Sequence, residues 1–160
     1  MQEIFLENRT IIVFLHVISG VVWVGGMVAM RYAAHHSFLK IESPHKRLEH
    51  IAYALKRLFN IVLPFVAVLF ITAIFMVKGY TLSASELSMF SYIKEAVWTL
   101  MFINLSVMIY RRNKGVKLLD KGDMVGAKAQ IELIGKVMVP LNIALGTLAV
   151  FLGTYLSGSL

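Results

Sequence analysis

Cysteine is absent from this chain, which excludes disulfides, thiolate metal sites and cysteine-held iron–sulfur clusters. Proline is scarce, with three residues in 160, and nine acidic side chains stand against sixteen Lys and Arg. So few prolines allow long unbroken helices. The sequence also carries no phosphate-cradling glycine loop, no HExxH and no nucleophile elbow, so a hydrolase or a nucleotide-driven pump has no residues to run on.

Apolar residues are what the chain has most of. Its content is 58% hydrophobic and its mean hydropathy is +0.74, whereas an ordinary soluble domain is nearer half apolar. A helix needs about 20 mostly apolar residues to cross the hydrocarbon of a bilayer. Four runs meet that length, at about 11–32, 58–77, 89–110 and 137–157. The expectation is therefore an all-α integral membrane four-helix bundle, with 1–160 as a single transmembrane domain in the lipid bilayer. The leader MQEIFLENRT sets Glu3 and Glu7 against Arg9, and the apolar run after it is longer than a signal core, so the first run is expected to stay as a span.

The basic residues gather in two connections. One group is Arg31, Lys40, Lys46, Arg47, Lys56 and Arg57; the other runs from Arg111 and Arg112 through Lys114, Lys117, Lys121 and Lys128 to Lys136. By the positive-inside rule both connections lie in the cytoplasm and both termini outside. The charges are thus accounted for by orientation and anionic headgroups, and no nucleic-acid partner is called for. Pro44 followed by HKRLEHIAYALKRLFN reads as a proline-started helical extension running into the second span. A second extension, from about Met124, feeds the fourth, and the polar connection KGYTLSASELS makes a hairpin of spans two and three.

Against this background one histidine is out of place. In FLHVISGVVWVGGMVAMRYAAHH, His16 lies about 8 Å below the outer boundary at 1.5 Å rise per residue. Span three starts at the same surface, which brings Lys94 to nearly the same depth on another helix. Ionisable groups at such depth are costly, point into the bundle and are candidates for function; the alternatives are a histidine simply hydrogen-bonded to a neighbouring helix and a lysine that snorkels from its helix end. Imidazole in a dry slot suits haem iron or copper. Gly20, one turn below His16, either leaves room for a flat ring or serves close helix packing, and Trp23 and Met27 continue its stripe. Met27 and Met30 form a soft pair that lies about 16 Å or more below His16 and shares no ion with it. His35 and His36 come about 30 Å further along; with His50 they make a second, cytoplasm-side metal site or are simply solvated.

The stretch LHVISGVVWVGGMVAMRYAAHH resembles the first helix of the superfamily of HemJ-type protoporphyrinogen IX oxidases and CopD-type copper-resistance membrane domains. His16 matches the family histidine, Trp23 the tryptophan two turns on, and Gly25 and Gly26 the small pair. RLFNIVLPFVAVLFITAIFM is similar to the second helix, and YIKEAVWTLMFINLSVMIYRR to the third, with Lys94 on the lysine that opens it. Arg31 stands one position before the family's first-helix arginine and lacks its proline. The fourth helix reads KVMVPLNIALG, with Asn142 after Pro140 and no glutamate of the Asn-Glu-x-Pro element.

The HemJ side of the resemblance implies haem b held by His16 with Lys94 as partner or ligand, and Gly20, Trp23 and Arg31 about the cofactor. It also implies porphyrinogen or quinone as the redox partner, in a bacterial-type inner (cytoplasmic) membrane. The CopD side implies copper handling instead. Three functions stay open: a haem-binding redox protein, a copper-binding or copper-transport protein, and a non-catalytic subunit of a membrane complex. Small-residue faces would permit a homodimer.

Overall fold

A computed structural model of the chain describes residues 2–80 and 88–158. Every element is helical, and no strand occurs among the described residues. A short helix α1 (Gln2–Glu7) precedes α2 (Arg9–Ala29), which passes through a π-helical turn at Met30–Ala34 into α3 (His35–Leu39). Then come α4 (Pro44–Gly79), α5 (Ser88–Asp120) and α6 (Met124–Leu133). A second π turn, Ile134–Met138, leads from α6 into α7 (Val139–Gly158). Counted as continuous rods, these are four helices long and apolar enough to cross a membrane: Arg9–Leu39, Pro44–Gly79, Ser88–Asp120 and Met124–Gly158. The four expected spans lie inside them. Both expected extensions are helical, whereas residues 81–87, on which the hairpin connection falls, lie outside the described residues.

Local chemistry sets the rod ends that carry the basic connections. Ser43 caps α4 by accepting the Lys46 N–H at 3.4 Å, with Pro44 as first helical residue. Rod three stops at Gly122, whose φ of +80° is open to glycine. There the Gly122 N–H donates to the Leu119 carbonyl and the Asp123 N–H to that of Leu118, closing the helix as a Schellman turn. Asp123 then starts the next helix by accepting the Gly126 N–H at 2.8 Å.

Rod one packs beside rods two and four, and rod three beside the same two. Rods one and three therefore face each other diagonally across the interior. Trp23, Met27, Phe59, Val62, Met101, Leu105 and Met108 fill that interior. Glycines let the rods approach: a Cβ on Gly26 would meet Leu58 Cδ1 at 2.9 Å, and one on Gly146 would overlap Val24. Outward, the rods present Phe14, Val21, Ile71, Leu100, Ile103 and Phe151. Apolar cover on this scale has the make-up of a multi-pass membrane protein, since in water it would drive association.

Two details depart from a plain four-rod scheme. The leader is ordered as α1, and its Phe5, fully buried, sits over Gly79 and meets Tyr80 edge-on at 4.8 Å. The π turn Ile134–Met138 comes just before Pro140, which has no N–H to give the helix ladder. There the Val139 N–H reaches back to the Ile134 carbonyl, a wider turn that absorbs the interruption.

Candidate functional site

The His16 ring leaves α2 toward rod two, where its Nδ1 lies 3.0 Å from the hydroxyl oxygen of buried Thr72. Thr72 Oγ1 is also 2.8 Å from the Val68 carbonyl and 3.1 Å from that of Leu69. Its single proton goes to a carbonyl of its own helix, so its oxygen is left to accept from the imidazole. In the tautomer that donates from Nδ1 to Thr72, Nε2 carries the lone pair. A histidine whose other nitrogen donates to a fixed acceptor is the form that ligates metals.

Lys94 enters from the diagonal rod. Its side chain is half-buried and crosses to rod four, where Gly153 makes room: a Cβ there would stand 2.9 Å from Nζ. Nζ takes part in no hydrogen bond or ion pair among the described residues, and the neighbouring Glu95 is exposed on another side of α5. Lys94 does interact electrostatically with the His16 ring. The two residues singled out by depth thus come from opposite rods and are near enough to interact through charge, with no hydrogen bond between them among the described residues.

The glycines separate room from packing. A Cβ on Gly20 would meet only Leu69 Cδ1 at 3.6 Å, an ordinary contact, so packing does not demand glycine there as it does at Gly146. Trp23 and Met27 belong to the core, and the Trp23 Nε1 is buried without a hydrogen-bond partner among the described residues. Met30 and Arg31 stand in the first π turn and line a cavity at the far end of the bundle, with Arg31 about 20 Å from His16 along the axis. Arg31 therefore does not share a site with His16. The His35 and His36 ring centroids are 6.3 Å apart. His50 is exposed and donates Nδ1–H to the Lys46 carbonyl at 2.7 Å. No group of three or more His, Asp or Glu gathers as a metal centre among the described residues.

Two polar features lay beyond sequence reasoning. Thr72 is one, a threonine in an apolar run with no mark of which helix it faces. The other is an amide pair in the middle of the bundle: Asn104 Nδ2 donates to Asn142 Oδ1 and to the Met138 carbonyl, each at 2.8 Å. It ties rod three to rod four beside the π turn. The Nδ2 of Asn142, a residue 1% exposed, has no partner among the described residues. Compared with protein-family models, with curated proteins and with solved structures, the chain finds no match.

Proposed function

We propose that this chain is a multi-pass protein of a bacterial-type inner membrane, with both termini outside, that binds haem b through His16 with Lys94 as the second nitrogen donor. The observation that carries this reading is the His16–Thr72 hydrogen bond, which fixes the ring and, in the tautomer that donates from Nδ1, leaves Nε2 to ligate in a bundle where the Lys94 amine has no hydrogen-bond partner among the described residues. The donor set fits the group: imidazole is a common axial ligand of haem iron, and an amine held away from acceptors in an apolar surround has reason to coordinate. Gly20 adds a helix face that packing alone does not require to be bare.

When bound, haem supplies one-electron redox chemistry whose potential the axial ligands and the burial of the site tune. The chain's own part is to offer Nε2, to hold the ring at Nδ1, to present Lys94 over Gly153, and to exclude water with Leu69, which packs by Gly20. Electron transfer with a quinone, or oxidation of a porphyrinogen, is the chemistry that the resemblance to HemJ-type oxidases supports.

The test is an absorption spectrum of the detergent-purified protein, oxidised and dithionite-reduced, with metal analysis of the same sample. A Soret band, with α and β bands that sharpen on reduction and vanish in His16→Ala, supports the proposal. A colourless protein that does not take up added haem overturns it; stoichiometric copper would then favour the CopD-like reading, and no metal at all an assembly subunit.

A further inference from the structure

At the end of the bundle that carries the basic connections, a cavity of about 700 Å³ opens between rods one, two and four. Its walls are apolar, with Leu55, Ile131 and Val139 among them, while Arg31, Arg47, Lys128 and Lys136 stand around it. Glu132 is the one acid there, and it is already engaged by Lys136 at 2.8 Å and Lys128 at 3.7 Å. Four cations against one anion leave a formal surplus of three positive charges. Arg31 makes no hydrogen bond or ion pair among the described residues, and Arg47 commits Nε and Nη2 to the Ile41 carbonyl, leaving Nη1 to spare.

Both π turns contribute to this cavity, Met30–Ala34 through Met30 and Arg31 and Ile134–Met138 through Gly135 and Lys136. Such turns are rare and occur frequently at functional sites. A Cβ on Gly135 would meet nothing within 4 Å, so that position faces open space and not a packed neighbour. The volume suits a ligand of a few hundred daltons. Apolar walls under a cationic rim suit an amphiphile with an anionic head.

We infer that this cavity binds an anionic phospholipid, its phosphate among Arg31, Arg47 and Lys136 and part of its acyl body against Leu55 and Ile131. Basic pockets between membrane helices at a cytoplasmic surface hold such headgroups by charge, to which burial of chain methylenes adds. The site rests on the membrane reading and is independent of the haem reading.

The test reconstitutes the full chain into nanodiscs of phosphatidylcholine with a minority of phosphatidylglycerol, then re-extracts it into detergent and counts retained lipid by mass spectrometry. About one phosphatidylglycerol per chain is expected, enriched over its share of the bilayer. Arg31→Gln with Lys136→Gln should lower the enrichment about fivefold per charge removed, and Gly135→Phe should abolish it by filling the cavity. Lys117→Gln with Lys121→Gln, which removes exposed charge outside the cavity, and His16→Ala should leave it unchanged. Equal losses in the Lys117/Lys121 pair, or full retention in Gly135→Phe, would overturn the site. Inorganic phosphate that displaces the lipid at equal concentration would overturn the role of the acyl body. A chain that does not enter the nanodisc sinks the membrane reading; one that enters and retains no lipid sinks this inference alone.

Discussion

The two ends of the bundle use polar groups in opposite ways. At the end that carries the termini, a few ionisable side chains are spent singly inside the apolar interior, His16 held by Thr72 and Lys94 laid over Gly153. At the other, cations are massed about an open cavity, where Glu132 bonds two lysines that stay mostly in solvent. Each polar group in the first region depends on one specific neighbour, so its loss is felt in full. In the second region charge is shared and solvated, and individual losses are graded.

That contrast fails if substitutions at the two ends behave alike. The largest effect should come from His16→Ala, which removes the only imidazole in the first region; complete loss of pigment is expected, read as the missing Soret band, with the folded fraction on size exclusion unchanged. Thr72→Val removes only the acceptor that fixes the ring. It should weaken haem affinity by about 10–100-fold, measured by haem titration of the apoprotein, and Thr72→Ser should restore most of it. On the haem proposal, Lys94→Ala should leave pigment bound while shifting the ferric spectrum toward the high-spin form, because the proposed second donor is lost and the first kept.

Between the ends, Asn104→Leu strips buried Asn142 of its donor, and a loss of about 1 kcal/mol is expected in denaturant unfolding. The double change Asn104→Leu with Asn142→Leu should recover part of it, since both polar partners then leave together. The smallest effect is expected at the basic end. Glu132→Gln breaks ion pairs whose lysine side chains are 64% and 67% exposed, and it should alter stability by no more than a few tenths of a kcal/mol.

The sequence made some of this visible and hid the rest. The four candidate spans follow from apolar length, and the helical start at Pro44 from the proline itself. Depth alone put His16 and Lys94 at one level, because helix rise converts position into distance. The π turns were not legible, since the first has no proline to mark it and the second depends on the packing around Pro140 as well as on the proline itself. The packing of α1 on Gly79 was hidden for a similar reason: Phe5 finds its place only once rod two has ended beside it.

What the sequence determined by itself was the number of helices long and apolar enough to span a membrane and the place of each polar group along them, because hydropathy and helix rise are properties of one chain segment at a time. What only the tertiary structure decided was partnership. That Thr72 meets His16, that Asn104 meets Asn142, and that Arg31 belongs to a separate cavity all depend on how each helix is rotated about its axis. Helices apolar on nearly every side carry almost no sequence signal for that rotation, and it is fixed by the fit of small and large side chains between neighbouring rods.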